Sequence, residues 1–215
     1  MRKYFYNTQM FDERSKEAMY ISGLASADGI FGGSGLEFKL HFRDLDILEK
    51  IRNCVCQEHP IYDYRKHGNC MVLQIGNQHI KDVVGVIISD QISNPTSIDF
   101  VRGFFDGDGT VTTGNRLHKY RHKAVFYNYS LDKLNAISDI LSTYGLNRNT
   151  PSYHGDNCYA LWYCGSSSKK LYETMYNNAF IYGNRKKKRF EELLFSGRVQ
   201  NELVNASHLM AEVKG

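Results

Sequence analysis

Asp28 and Asp108 each close an apolar run, in the settings Ser26-Ala27-Asp28-Gly29 and Asp106-Gly107-Asp108-Gly109. A single Asp-Gly pair is ordinary turn chemistry. This pair is different because matched small residues precede both aspartates at a spacing of four: Gly23 and Ala27, then Gly103 and Gly107. Glycine inside a helix costs up to about 1 kcal/mol relative to alanine, so its presence needs a reason. Residues four apart share one helix face, and two such faces let two helix backbones pack side by side. That packing brings Asp28 and Asp108 together at the helix C-termini, where like charge and the negative ends of both helix dipoles repel. A divalent cation relieves the repulsion, and carboxylates with backbone carbonyls suit Mg²⁺. A metal site shared by two acids is how phosphodiester hydrolysis activates water and stabilises the leaving oxygen. A calcium loop starting at Asp106 is excluded, because Val111 and Leu117 stand where that loop needs glycine and glutamate.

The elements that must position these acids occur twice. YISGLASADGIF (20–31) returns as FVRGFFDGDGTV (100–111), and DLDILEKI (44–51) returns as SLDKLNAI (130–137). His67-Gly68-Asn69-Cys70 resembles His154-Gly155-Asp156-Asn157-Cys158 with one insertion. Internal repetition in constant order argues for a duplicated unit. Each unit reads as a helix (15–27, then 97–107) and a hairpin (37–42; then TVTTG with 123–129). An amphipathic helix from Leu45 or Leu131, a second hairpin (61–66 with 70–75; 151–154 with 158–164) and a closing helix (77–87; 167–178) follow. Asp44 and Ser130 stand where N-caps are wanted, and Thr96 or Ser97 after Pro95 caps the first helix of the second unit. The expected class is α+β, two pseudo-symmetric α-β-β-α-β-β-α repeats over residues 12–94 and 95–195, with a weaker tail over 196–215.

Composition narrows the setting. The chain has 215 residues, 42% hydrophobic, with 27 Lys+Arg against 23 Asp+Glu. The net charge of +4 does not announce nucleic acid, so the placement of charge matters more. No apolar run approaches the roughly 20 residues of a membrane span, and the N-terminus has no apolar core of a secretory signal. Five cysteines without a C-x-x-C pair read as free thiols in a reducing compartment. An intracellular, non-secreted protein is expected, cytoplasmic or organellar. Basic residues concentrate in three places. The first hairpin of repeat two carries Asn115, Arg116, His118, Lys119, Arg121, His122 and Lys123. Repeat one offers Lys39 and the Arg65-Lys66 turn, and the run Arg185–Arg189 adds Arg185 and Lys188 beside the proposed centre. A ribbon with this spacing can meet bases and phosphates.

GLASADG and GFFDGDG resemble the two signature helices of the LAGLIDADG homing endonuclease family, over roughly residues 12–195, more closely in repeat two. The resemblance implies a saddle whose sheets lie along the DNA major groove, with Asp28 and Asp108 binding Mg²⁺ and the carbonyls of Ala27 and Gly107 as further ligands. It also implies a staggered double-strand cut at a long DNA site, and a basic residue after each closing helix near the scissile phosphates. Lys186 or Lys187 fits that place in repeat two, whereas repeat one has no Lys or Arg from Asp82 through Val101. Unequal cutting of the strands, or nicking, is a corollary. Ser26 also replaces the acid found as Asp106 in repeat two. The family includes intron RNA maturases and DNA-binding regulators, which are the alternatives; an intein-embedded nuclease would need flanking segments. With both repeats in one chain, a free-standing monomer is expected.

Overall fold

The computed structural model describes residues 4–113 and 122–195. The first repeat runs α1 (Gln9–Asp12), α2 (Lys16–Asp28), β1 (Gly29–Gly32), β2 (Gly35–His41), a 3-10 turn (Phe42–Asp44), α3 (Leu45–Val55), β3 (Tyr62–Tyr64), β4 (Cys70–Ile75) and α4 (Gln78–Ser93). The second runs α5 (Ile98–Asp108), β5 (Gly109–Thr113), β6 (His122–Asn128), α6 (Leu131–Thr143), β7 (Ser152–Gly155), β8 (Cys158–Cys164) and α7 (Ser166–Tyr176). Residues 184–195 add a further helix, α8. The class is α+β with two antiparallel four-stranded sheets in equivalent orders, β1-β2-β4-β3 and β5-β6-β8-β7. Residue pairing makes the equivalence concrete: Gly29 faces Phe38 in the first sheet as Gly109 faces Phe126 in the second.

Side-chain period explains why one face of each sheet is covered. In β2, Leu36, Phe38 and Leu40 are buried, while Glu37, Lys39 and His41 alternate onto the other face. In β6, Ala124, Val125 and Phe126 are all buried. Val125 belongs to the outer face, where its cross-strand partner is Trp162. The Trp162, Tyr127 and His154 rings cluster there, 5.1–6.2 Å apart. The helices cover the inner faces through the periods read from sequence: Leu48, Ile51 and Val55 of α3, and Leu134, Ile137 and Leu141 of α6, are buried.

Two apolar cores result, and each borrows from the other repeat. Met19 and Ile87 pack into the second core, and Ile181 packs into the first. The most extensive contact between elements is that of α2 with α5.

Several expectations shift. Closing helix α4 extends to Ser93, six residues beyond the predicted end, because Ile87 and Gln91 continue its buried face. Gln91 then holds the joint: its amide donates to Thr96 Oγ1 and its Oε1 accepts from the backbone N–H groups of Thr96 and Ser97. Ser97, rather than Thr96, caps α5 through Phe100 N–H, and Ser130 caps α6 as expected. Asp44 makes no cap hydrogen bond, because a 3-10 turn precedes α3 and its carboxylate turns to Arg185. The first hairpin of repeat one starts at Gly29, immediately after α2, and pairs β1 with β2. α1 and α8 are additions to the repeated plan; Met10 and Phe11 enter the first core, and Phe190 and Leu193 enter the second.

Candidate active site at the paired helix ends

The small residues do what their spacing predicted. A Cβ added to Gly23 would lie 2.0 Å from the carbonyl oxygen of Phe100, and one on Gly103 would lie 1.9 Å from that of Tyr20. The backbones of α2 and α5 therefore touch, with no room for any side chain. At the last turn, a Cβ on Gly107 would stand 2.5 Å from Ala27 Cβ and 3.1 Å from Asp28 Oδ2. The carboxylate ending α2 thus lies against the backbone ending α5. Both helices pass into a strand with no spacer. Gly29 and Gly109 are extended, and a Cβ on either would strike the preceding helical turn, at Ala25 and Phe105 respectively.

Burial raises the pKa of both carboxyls. For Asp28, Lys186 opposes the rise and Asp44 adds to it; for Asp108, the Asn128 amide opposes it and Asp28 adds to it. Asn128 Nδ2 donates to Asp108 Oδ2 at 2.6 Å. Its orientation is fixed, because Asn128 Oδ1 accepts from the Ser130 backbone N–H at 2.9 Å. Asn128 ends β6, and Leu40 holds the equivalent register position in β2, so Asp28 has no matching partner.

Two ammonium groups close the site. Lys186 Nζ donates to Phe105 O at 2.9 Å and to Gly107 O at 2.6 Å, and Lys133 Nζ donates to Ser26 O at 2.6 Å. Cations at helix C-termini satisfy free carbonyls and offset the dipole. Burial lowers the pKa of both lysines, and neighbouring carboxylates oppose the fall.

A buried polar anchor sets the position of Lys186. Asp106 Oδ2 accepts from Tyr20 Oη at 2.7 Å and from Gly183 N–H at 2.6 Å. Arg102, also buried, donates to Ile181 O and Met175 O, each at 2.8 Å, and pairs with Asp99. These bonds tie the segment entering α8 to α5. Ser26, in the equivalent place in α2, leaves its hydroxyl without a hydrogen-bond partner among the described residues.

The remaining predicted residues fall in different surroundings. Lys187 turns from the aspartates, with Nζ 4.3 Å from the Tyr182 ring centre and 3.9 Å from Glu191. Arg185 is held by both oxygens of Asp44 at 2.7 and 2.8 Å. Lys188 lines a groove with Gly109, Thr110, Val111 and Arg189. Lys39 stands on the outer face of β2, and Arg65 is folded back onto Asp63 beside exposed Lys66. Lys123 Nζ lies 5.7 Å from the Trp162 ring centre on the outer face of the second sheet. Asn115, Arg116, His118, Lys119 and Arg121 lie outside the described residues. Sequence reasoning missed Asn128 and Lys133. No pattern singles them out, since neither has a counterpart in repeat one.

The donor set fits a small hard cation. Two adjacent carboxylates disfavoured in their charged form gain most from one, and Gly107 O keeps a lone pair beyond that given to Lys186. Among the described residues no three or more His, Cys, Asp or Glu side chains cluster as metal ligands, so a cation here would depend on the two aspartates, backbone carbonyls and water.

Residues 96–194 match the family model described as a LAGLIDADG-like domain. The described residues share the two-repeat fold of solved LAGLIDADG endonucleases. The crystal structure of the LAGLIDADG meganuclease I-AabMI bound to uncleaved DNA superposes with a TM-score of 0.62 at 13% identity, covering 86% of this chain and 91% of that one. The I-LtrWI LAGLIDADG homing endonuclease bound to target DNA gives 0.61 at 12% identity, covering 87% and 91%. I-DmoI in complex with DNA and Mn gives 0.54 at 12% identity, covering 78% and 99%. No curated protein matches by sequence. No helix among the described residues is long and apolar enough to cross a membrane.

Proposed function

We propose that the chain is a sequence-specific, Mg²⁺-dependent DNA endonuclease that hydrolyses both strands of a long target site, in the manner of a homing endonuclease. The observation that carries this reading is the meeting of Asp28 and Asp108 at the ends of two helices in backbone contact, flanked by Lys186. Fold neighbours described as DNA-bound, some of them with Mn or Mg, support it.

Asp28, Asp108 and the carbonyls of Ala27 and Gly107 would hold the cation. When bound, it supplies Lewis acidity and a water of lowered pKa. Asn128 holds the Asp108 carboxylate in one orientation. Lys186, anchored through Asp106 and Gly183, holds a positive charge where a phosphate gains negative charge as its bond to the leaving oxygen breaks. Lys187 faces Tyr182 and Glu191, so Lys186 is the cation of choice. The open sheet faces, with Lys39, Lys66 and Lys123, together with the α8 groove at Lys188, would follow the duplex. Lysine contacts to phosphate position it, and side chains on the sheet faces read bases. Both repeats lie in one chain, so the active form is a monomer residing with the genome that encodes it.

The test is cleavage of a supercoiled plasmid carrying the allele that lacks the gene, in Mg²⁺, beside Asp28→Asn and Asp108→Asn. Linear product at one position, lost or reduced to a nick in either variant, is the expected result. Tight binding at one site without cutting in Mg²⁺ or Mn²⁺ would replace this reading with that of a non-cleaving DNA regulator or an intron RNA maturase.

A further inference from the structure

The two helix ends receive their cations from unequal sources. At the end of α5, Lys186 donates to Phe105 O and Gly107 O. At the end of α2 no cation can come from the segment after α4, since residues 82–101 contain no Lys or Arg and Arg102, which follows, is buried against Asp99 and the carbonyls of Met175 and Ile181. Lys133 stands there instead. It projects from the first turn of α6 across the repeat boundary, and its Nζ lies 2.6 Å from Ser26 O. It is near enough to Asp108 for the opposite charges to favour one another. Its counterpart in α3 is Ile47, buried in the first core, so duplication did not supply it. Capping alone asks only for a cation near the last turn of a helix. It does not ask that both ammonium groups stand beside the paired carboxylates, each with its stem half-buried.

Resting on the endonuclease reading, we propose that Lys133 is the second active-site cation, serving the phosphate cut on one strand as Lys186 serves the other, so that the second repeat supplies both. In each cut a water oxygen bonds to phosphorus and its proton passes to solvent. The bond from phosphorus to the departing sugar oxygen breaks, and that oxygen gains a proton. Lys133 donates to the phosphate oxygens as charge builds and is itself unchanged.

Strand-labelled plasmid cleavage tests this with Lys133→Gln, Lys133→Met and Lys186→Met. Lys133→Gln keeps a donor for Ser26 O but removes the charge, so a purely structural role predicts native behaviour from it. The expected result is nicked circle from every variant, with one strand slowed about 100-fold. The slowed strand in both Lys133 variants is opposite to that in Lys186→Met, and Lys133→Arg recovers part of the loss. Binding to the target in EDTA provides a second readout, in which Lys133→Gln lowers the slope of log affinity against log salt by about one. A native protein that cuts while Lys133→Gln cuts both strands at native rates, or slows both equally, overturns the assignment. A native protein that cuts nothing overturns the endonuclease reading and this one with it.

Discussion

At the scale of single residues, the site is held together against its own electrostatics. Burial is the chief cause that raises the carboxyl pKa of Asp28 and Asp108 from its ordinary value in the folded state. An acid raised in this way binds protons more tightly when folded. The metal-free protein therefore gains stability as pH falls toward the ordinary range and loses it as pH rises through the raised values. Asp28→Asn and Asp108→Asn are expected to melt higher than the native protein at pH 7.5 without metal, by about 2–4 °C for each kcal/mol relieved. The difference should shrink near pH 4, and differential scanning fluorimetry at both pH values checks it. Burial raises the pKa of Asp106 as well, but one of its oxygens satisfies two buried donors, so its removal has the opposite effect on stability. Asp106→Ala strands Tyr20 Oη and Gly183 N–H at about 1–3 kcal/mol each and frees the segment that carries Lys186. Asp106→Asn, with its carbonyl oxygen in the same place, keeps both bonds. Thermal melts paired with cleavage rates should show Ala losing both stability and activity, while Asn keeps most of the stability. The two aspartates were legible in the sequence because duplication displayed them twice. Asn128 and Lys133 were not, because each serves one repeat alone and only folding brings it to the helix ends.

At the scale of elements, the decisive feature is that α2 and α5 meet backbone to backbone. The glycine spacing foretold this, and its tolerance is nil: the added methyl of Gly103→Ala would sit 1.9 Å from a carbonyl oxygen. Gly23→Ala and Gly103→Ala are each expected to cost about 3 kcal/mol or more, a fall in melting temperature on the order of 10 °C, with cleavage lost. A variant that melts within two or three degrees of native would contradict the contact. Helix periods also read well, since Leu48, Ile51, Leu134 and Ile137 mark buried faces directly. The end of α4 did not, because its buried face continues past Ile87 through the polar Gln91, whose role as a brace for Thr96 and Ser97 depends on where the chain goes next. The first hairpin of repeat one was half-legible: Gly29–Gly32 has no alternation to announce a strand, and only its pairing with Gly35–Phe38 makes it one.

At the scale of the whole molecule, the repeats are interlocked. Met19 and Ile87 complete the second core and Ile181 completes the first, so a chain divided between residues 94 and 95 leaves each half with an open apolar face. Separately expressed halves are expected to be insoluble, and co-expressed halves to recover a soluble pair, as read by size-exclusion chromatography. A soluble, monomeric second half would argue that its core closes alone.

The central helix pair also has a bearing on synthesis at the ribosome. A nascent chain translated only as far as residue 95 carries one carboxylate of the pair and neither Lys133 nor Lys186. Its partner helix, strand-end asparagine and both ammonium groups are still to be translated. Chemical competence, on the reading proposed here, arrives only after α8 has been made and docked. On that reading a translation product that stops before α8 is inert toward DNA, because one centre is spread over both halves of the gene.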